Sequence, residues 1–377
     1  MESRHRSGDE PLRLTMLGPS PDHPGGITKV VDSWRKGGLE RLVSLREIHT
    51  SRWDDSLPRQ VVNAVIALWT LLLLLVRRET DVLYLHVSTG GSTGRKLAAA
   101  LLARLFRVPY VAQIHSGNFG TWVAESRLAR ACSRSLFSNA AAAVVVSGHW
   151  SELARRLGAA EVVVLHNALC ADEREAFAAA AAAAGPPPRP TLLYYGRWSP
   201  IKGPDRIAGA LATLLPADYE VRLFGNGDRA WLEDAFAALP PATVKIGGWI
   251  GLSDKAAELA AATALVVPSR SEGFGQVLLE ARAAGVPVVA SDVGAVAEVL
   301  DGYSRALLVP AGDDAALAAA LGRVLAGEWP PPGDRDGRIP DLPERFHVEP
   351  VVTELAAMLA DITEDGGIPA EPSFRLR

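Results

Sequence analysis

The chain has 377 residues, too many for one ordinary hydrophobic core, so two domains of roughly 150 to 200 residues each are expected. Hydrophobic residues make up 48% and charged residues 22%, with 34 glycines and 26 prolines, which excludes a disordered or fibrous chain. The two cysteines give neither a disulfide framework nor the ligand spacing of a zinc site, which favours a reducing cytoplasm.

The net charge of −4 conceals a difference between the two halves of the chain. Residues 1–170 contain 21 Lys and Arg against 14 Asp and Glu, whereas the remaining residues contain 18 against 29. A basic first half predicts an anionic partner, such as a phospholipid surface or a pyrophosphate-linked acceptor. Uneven surface charge without a function is the alternative. We predict no nucleic-acid partner.

The longest apolar run covers residues 61–76 and is flanked by Arg59, Arg77 and Arg78. It is shorter than the roughly 20 residues that a transmembrane helix needs, so we predict a helix that is buried or lies on a membrane surface. The polar amino terminus lacks the apolar core of a secretory signal. The expected location is the cytoplasm, with peripheral attachment to the inner face of the membrane as a further hypothesis.

Short apolar runs alternate with alanine-rich helical stretches, and the series occurs twice. Runs without polar alternation are typical of parallel sheets that helices cover on both faces. We therefore predict two doubly wound α/β domains that face a cleft, where the carboxyl ends of the strands bind ligands. The predicted strands are 12–17, 81–86, 108–114, 142–146 and 162–165, followed by 191–195, 220–224, 244–246, 264–267, 286–290 and 306–309.

The domain boundaries follow from alanine and proline. An alanine-rich helix that ends in a Gly-Pro-Pro-Pro run predicts a stiff connection. We place the first domain at 12–175, the linker at 176–190 and the second domain at 191–345. A final helical pattern within 346–365 is expected to cross back to the first domain.

The segment after the strand at 264–267 carries two glutamates. Gly273 and Gly275 allow the backbone to pass close to a ligand, and the helix that follows points free amide groups at an anion. Glu272 lies on the loop, where it can meet sugar hydroxyls, and Glu280 falls in the second helical turn, where it can bind a ribose diol. Taken alone, the segment is better explained by an ordinary turn followed by a helix whose carboxylate faces solvent.

A second loop, at 196–203, adds two cations to the same domain. Arg197 and Lys202 can neutralise a diphosphate. With the Ser-Glu-Gly-Phe-Gly segment and Glu280, this loop resembles the signature of family 4 of the glycosyltransferases. The resemblance implies the GT-B fold of two Rossmann-like domains and retaining transfer from a nucleotide sugar.

The resemblance also implies roles for individual residues. Arg197 and Lys202 hold the donor diphosphate, Glu272 holds the sugar, Glu280 holds the ribose, and His115 matches the family's active-site histidine near the acceptor. The catalytic set is therefore His115, Glu272, Arg197 and Lys202. The implied donor-binding residues are Gly25, Gly26, Arg197, Lys202, Gly248, Trp249, Gly273, Phe274, Gly275, Gln276, Val277 and Glu280.

Two segments depart from the family pattern. The family usually has a Pro-Asn-Gly turn where residues 166–169 read His-Asn-Ala-Leu, so the loop there is expected to differ in shape. Residues 117–118 fall where acceptor contacts are made, so the choice of acceptor does not transfer. No metal or other cofactor is expected, because the only Asp-x-Asp, at 334–336, lies in a Pro/Gly-rich loop and not at a strand end.

The predicted activity is retaining transfer of a sugar from a UDP- or GDP-sugar to an acceptor hydroxyl, in bacterial surface polysaccharide or glycolipid assembly. A lipid-linked acceptor is the leading hypothesis. The alternatives are a small soluble acceptor, a nucleotide-sugar epimerase and a noncatalytic subunit of the same architecture. A dinucleotide-dependent oxidoreductase is disfavoured, because no Gly-x-Gly-x-x-Gly follows the first strand.

Overall fold

The structure is a computed structural model that describes residues 10–22, 25–51, 56–185, 187–214, 218–329 and 342–364. Its contacts divide the chain into two compact units. Unit 1 comprises the described residues of Met1–Ala168 and Val348–Arg377, and unit 2 comprises those of Leu169–His347. Each unit contains one six-stranded parallel sheet.

The sheet of unit 1 has the strand order β2-β1-β3-β4-β5-β6, so the direction of chain progress reverses between β1 and β3. Every residue of β3, β4 and β5 is buried, which explains why these strands are continuous apolar runs in the sequence. The strands are β1 Leu12–Gly18, β2 Val43–His49, β3 Val82–Val87, β4 Tyr110–Ile114, β5 Ala142–Val145 and β6 Val162–Val164.

The helices of unit 1 follow from the same reversal. They are α1 Gly26–Lys36, α2 Leu39–Leu42, α3 Leu57–Val76, α4 Gly91–Leu105, α5 Phe119–Glu125, α6 Arg127–Phe137 and α7 Ser151–Arg156. Right-handed crossovers place α1 on one face of the sheet, and place α3, α4 and α6 on the other. In agreement, α4 packs against both α3 and α6.

The strand β2 is absent from the strands predicted above. It lies at the edge of the sheet, and its buried and exposed residues intermingle along the strand. Two of its side chains form ion pairs at the surface, Arg46 with Glu79 at 2.7 Å and Glu47 with Arg35 at 2.8 Å. An edge strand needs no continuous apolar run, so the apolar pattern does not predict β2.

The helix α3 contains the apolar run at 61–76. By length and composition it is the one helix among the described residues that could cross a membrane. Its inward face is packed through Ala67, Leu71, Leu74 and Leu75, yet only 22% of its most apolar window is buried. Of the two predicted alternatives, full burial of α3 is therefore excluded, and a position on a membrane surface stays a prediction.

The sheet of unit 2 has the order β12-β11-β10-β7-β8-β9. Renumbered within the unit and viewed from the opposite edge, this is the 3-2-1-4-5-6 order of a Rossmann sheet, and the reversal lies between β7 and β10. Its strands are β7 Thr191–Trp198, β8 Glu220–Gly227, β9 Val244–Ile246, β10 Ala264–Val267, β11 Val288–Ser291 and β12 Ala306–Val309. Its helices are α8 Ala171–Ala183, α9 Pro204–Ala212, α10 Arg229–Phe236, α11 Leu252–Ala260, α12 Gln276–Ala283, α13 Val296–Val299 and α14 Asp314–Leu325.

The boundary between the units differs from the predicted one. The predicted first domain ends at 175 and the predicted linker begins at 176, whereas α8 runs across that position and packs against α11 and α12 of unit 2. The unit boundary accordingly falls before Leu169. A last helix, α15 at Val348–Glu364, packs against α1, α2 and β3 of unit 1.

Two strands of unit 2 extend beyond their predicted ends. β7 continues to Trp198 and β8 to Gly227, because the two strands keep pairing, with Gly196 opposite Gly225. A Cβ atom on Gly225 would lie 1.8 Å from the carbonyl oxygen of Gly196, so this close pairing requires glycine. The extension carries Arg197 to the carboxyl end of β7.

Candidate functional site

The polar residues predicted for unit 2 gather at the carboxyl ends of β7 and β10. Arg197 is exposed near the end of β7, Lys202 lies on the loop between β7 and α9, and Glu272 lies on the loop after β10. The strand order reverses between β7 and β10, and open α/β sheets bind their ligands at such a position.

Lys202 and Glu272, which are 70 residues apart in sequence, form an ion pair. The Nζ atom of Lys202 donates to Oε2 of Glu272 at 2.7 Å, and the hydroxyl of Ser269 donates to Oε1 at 2.8 Å. The carboxylate is buried, whereas about a third of the lysine side chain is exposed. An ammonium carries three N–H donors and this bond uses one, so Lys202 retains donors for a ligand anion.

The two loops that carry this pair are joined through their backbones. The amide of Arg270 donates to the carbonyl of Ile201 at 2.8 Å. Gly203 adopts a left-handed conformation with φ of 68°, and a Cβ atom there would lie 2.4 Å from the carbonyl oxygen of Pro268. The close approach of the loops therefore depends on glycine at 203.

Glu280 lies in the second turn of α12, and its side chain is only 1% exposed. The Tyr195 hydroxyl donates to its Oε2 at 2.6 Å, and Nζ of Lys255 donates to its Oε1 at 3.1 Å. Burial, followed by the charge of Glu280, raises the pKa of Tyr195 well above its usual value. A ribose diol would have to use the remaining acceptor positions of the two oxygens.

Sequence reasoning did not identify Tyr195 or Lys255. Tyr195 reads as an ordinary apolar strand residue, and Lys255 lies on α11, 25 positions before Glu280. The Nζ atom of Lys255 also lies 5.1 Å from the centre of the Tyr195 ring, a cation–π distance. No motif in the sequence signals this group, because it depends on which helices are neighbours.

The remaining residues of the Ser-Glu-Gly-Phe-Gly segment form the start of α12. Gly275 is left-handed, with φ of 89°, and the predicted helix after it begins with Gln276 and Val277. Phe274 is buried and Gly273 is half-buried beside Glu272. Amides at the start of a helix favour an anionic ligand, so the donor contacts assigned to these residues stay predictions with a suitable geometry.

Gly248 and Trp249 follow β9 and are both exposed. The amide of Gly225 donates to the carbonyl of Gly248 at 3.1 Å, which holds this turn against β8. The donor-binding role that the resemblance implies for Gly248 and Trp249 stays a prediction.

In unit 1, His115 lies directly after β4 and pairs with a second histidine. The Nδ1 atom of His86, in β3, is 2.9 Å from Nε2 of His115. Lys96 of α4 is 2% exposed and donates to the Thr50 hydroxyl at 2.8 Å. Thr50 bonds through its backbone amide to Gly18, at the end of β1, at 2.9 Å. The cluster thus lies at the reversal point of this sheet.

Burial dominates the electrostatics of this cluster. Burial, followed by the charge of Lys96, lowers the pKa of His115 to about 3, and burial lowers that of His86 well below its usual value. Burial and then Arg95 lower the pKa of Lys96 to about 7. Within the described part of the chain, no acidic group contributes to these shifts, so the histidines are neutral at pH 7 and Lys96 loses its proton far more readily than an exposed lysine.

Gly25 and Gly26 lie at the start of α1, where Gly25 is the capping residue and Gly26 the first helical residue. Both belong to unit 1, as His115 does, and the other predicted site residues belong to unit 2. The Asp-x-Asp sequence at 334–336 lies outside the described residues.

Two family models match the chain. The one described as "Glycosyl transferase 4-like domain" matches residues 16–168, and the one described as "Glycosyl transferases group 1" matches residues 189–327. D-inositol 3-phosphate glycosyltransferase of Frankia alni is 42% identical over 153 residues, which cover 36% of this chain and 36% of that protein. Phosphatidyl-myo-inositol mannosyltransferase of Mycobacterium leprae is 37% identical over 142 residues, 37% of this chain and 38% of that protein. The match therefore spans little more than a third of the length of these relatives.

Solved structures of glycosyltransferases share the fold over almost the whole chain. Sucrose-phosphate synthase from Thermosynechococcus elongatus has a TM-score of 0.73 at 19% identity, covering 94% of this chain and 100% of that one. HepE from Anabaena, in complex with UDP and glucose, has a TM-score of 0.67 at 16% identity, covering 93% and 100%. Identities this low show the fold alone, and that fold is the predicted GT-B. With both family models together covering most of its length, the chain belongs to family 4 of the glycosyltransferases.

Proposed function

We propose that the chain is a retaining glycosyltransferase that moves a sugar from a nucleoside-diphosphate sugar to an acceptor hydroxyl. The observation that carries this proposal is the 2.7 Å pair of Lys202 and Glu272 at the reversal point of the unit 2 sheet. It places a cation with free donor capacity next to a carboxylate, which suits a diphosphate bonded to a polyhydroxylated sugar.

Lys202 and Arg197 stabilise the diphosphate as the bond between it and the sugar's anomeric carbon breaks. Each such contact lowers the activation free energy by ~3 kcal/mol, by analogy with a single oxyanion donor. The acceptor oxygen bonds to the anomeric carbon from the face that the diphosphate leaves, and its proton passes to the departing phosphate oxygen. The anomeric configuration is therefore retained.

Neither glutamate acts as the nucleophile in this scheme. Glu272 accepts hydrogen bonds on both oxygens, from Lys202 and Ser269, which lowers its reactivity and suits a sugar-positioning role. Glu280 is equally occupied by Tyr195 and Lys255, and its role is to bind the ribose.

The donor is proposed to be a UDP- or GDP-sugar. In support, the structurally similar HepE was solved in complexes with UDP and glucose and with UDP-glucose. No further cofactor is proposed. We expect a chelator to leave the activity intact, and activity lost to a chelator and restored by manganese would contradict this.

The acceptor is proposed to be lipid-linked and anionic, used at the inner face of the membrane in surface polysaccharide or glycolipid assembly. Two observations support this proposal. The cluster of Lys96, His86 and His115 lacks an acidic partner among the described residues, so a ligand phosphate would stabilise it. In addition, the mycobacterial relative is named a phosphatidyl-myo-inositol mannosyltransferase.

The test begins with thermal unfolding in the presence of UDP, GDP, ADP and their sugars. The correct nucleotide at about 100 times its dissociation constant should stabilise the protein by ~2.7 kcal/mol. The stabilising sugar nucleotide is then incubated with the protein, and release of nucleoside diphosphate is measured. Release without an epimerised sugar supports transfer, whereas an epimerised sugar nucleotide without release contradicts it. The anomeric configuration of the product, read by NMR, tests retention.

A further inference from the structure

The outward face of α3 is as apolar as its inward face. Val62, Val65, Ile66 and Trp69 are each more than half exposed, and their spacing of three to four residues places them on one side of the helix. A helix on the surface of a soluble domain normally presents charged and polar residues on that side. This face therefore needs a partner other than water.

The apolar surface continues onto the neighbouring helices. Leu105 of α4 and Leu128 of α6 are each about three-quarters exposed, and Leu101 of α4 is half exposed. Because α3, α4 and α6 lie side by side on the same face of the sheet, their outward residues form one surface, which we call the three-helix surface.

The charges of the three-helix surface all have one sign. The three helices contain no Asp or Glu, and five of their seven Lys and Arg residues are exposed. Exposed arginines border the apolar residues at several points, among them Arg59 of α3, Arg104 of α4, Arg127 and Arg130 of α6, and Arg77 directly after α3. Apolar side chains among arginines are the composition of helices that lie in the interface of an anionic bilayer.

We propose that the three-helix surface docks on an anionic lipid bilayer, with α3 lying in the plane of the headgroups. A spanning orientation of α3 conflicts with its packed face, where Leu71, Leu74 and Leu75 are buried. It also conflicts with the position of α3 as the crossover between β2 and β3 of one sheet. A second copy of the chain is a poorer partner, because two such surfaces repel each other, whereas anionic headgroups complement the arginines.

The role of this docking rests on the proposed function, because docking would bring unit 1 to the bilayer that carries a lipid-linked acceptor. The helix α3 begins after the carboxyl end of β2 and leads back to the amino end of β3. Its first turn therefore lies near the carboxyl ends of the strands, where His86 and His115 also lie. Docking along α3 would bring the carboxyl ends of the strands near the headgroups.

The test is sedimentation of the full chain with vesicles, without donor or acceptor. One set of vesicles is phosphatidylcholine alone, and the other contains equal amounts of phosphatidylcholine and phosphatidylglycerol. The wild type should sediment with the anionic vesicles at low salt, and its binding should weaken as salt rises.

Two double variants and one control sharpen the test. Ile66→Gln with Trp69→Gln should lower the partition onto anionic vesicles about tenfold or more, because it removes the apolar contact. Arg104→Gln with Arg127→Gln should lower it about fivefold for each arginine removed. Leu42→Gln, an exposed leucine on α2 outside the three-helix surface, should bind as the wild type does. All these side chains are exposed, so thermal unfolding should be unchanged.

Several outcomes would overturn the proposal: no binding of the wild type to anionic vesicles, equal binding to both vesicle types, or normal binding of both double variants. A wild type that is dimeric in solution and becomes monomeric on Ile66→Gln with Trp69→Gln, without binding vesicles, would assign the surface to a second copy instead. Diphosphate release from the donor is measured separately without vesicles, so failure to dock and failure of the proposed activity are distinguishable.

Discussion

The two clusters of polar residues, one in each unit, differ in how their buried charges are neutralised. In unit 2 each of the two glutamates assigned to the site has a lysine partner, Lys202 for Glu272 and Lys255 for Glu280. These pairs balance their own charges before any ligand arrives. A ligand then adds contacts to side chains that are already held in place, which is the condition for preorganised binding.

In unit 1 the cluster of Lys96, His86 and His115 has no acidic partner among the described residues, and burial keeps it close to neutral by lowering pKa values. A bound anion would raise these pKa values again. The difference teaches that the proposed donor half relies on internal ion pairs, whereas the proposed acceptor half relies on protonation that a ligand can shift. Four experiments test this difference.

The largest effect is expected from Lys255→Met in unit 2. The substitution leaves the Glu280 carboxylate buried without its cation, so the free energy of unfolding should fall by about 3 kcal/mol. Urea unfolding measures it. The control is Lys245→Met, an exposed lysine 3.6 Å from Glu258, which should change stability by about 0.5 kcal/mol or less. Equal effects of the two substitutions would mean that the buried pair is not what stabilises this part of unit 2.

Lys202→Ala should lower turnover about 100-fold or more, because the departing diphosphate loses a cation. The rate of diphosphate release at saturating donor measures this. Arg229→Ala is the matched control, since Arg229 is exposed and pairs with Glu233 on α10, away from the site. A near-normal rate in folded Lys202→Ala protein would contradict the proposed function.

Lys96 should make the stability of unit 1 depend on pH. Its ordinary pKa is 10.5 and its pKa in the folded protein is about 7, so between these values the unfolded chain binds more protons than the folded one. The free energy of unfolding should therefore rise with pH in this window, by up to ~1.4 kcal/mol per pH unit. Below pH 7 Lys96 is protonated in both the folded and the unfolded state, so this pH dependence should disappear. The measurement is the difference in unfolding free energy between wild type and Lys96→Met at about pH 7 and about pH 9. If the difference in unfolding free energy does not change with pH, the pKa of Lys96 is not lowered in the folded protein.

The smallest effect is expected for His115→Gln. A neutral histidine offers one hydrogen bond worth ~1 kcal/mol, so kcat should fall about five- to tenfold. Nucleoside diphosphate affinity should not change, because the diphosphate and ribose contacts proposed above come from unit 2. The control is His149→Gln, an exposed histidine that packs on Trp150. A loss of diphosphate affinity in His115→Gln would contradict the proposal that unit 2 supplies the diphosphate contacts.

Much of the fold could be predicted from the sequence because it depends on short segments. The buried strands are continuous apolar runs, and the helix α12 follows Gly273 and Gly275, so each was predicted from a few adjacent residues. The edge strand β2 was missed because only two of its seven residues are buried. The same holds for the site: Lys202 and Glu272 were found by their motifs, whereas Tyr195 and Lys255 belong to no motif.

By itself the sequence determined the family, the two series of strands and the loops that carry Arg197, Lys202 and Glu272. Only the tertiary structure decided which charges meet. The reversal of strand order between β7 and β10 brings Lys202 to Glu272, and the partners of Glu280 lie 25 and 85 residues before it. The physical reason is that ion pairs and hydrogen bonds act over a few ångströms, and the order of strands in the sheet sets those distances rather than the spacing of residues along the chain.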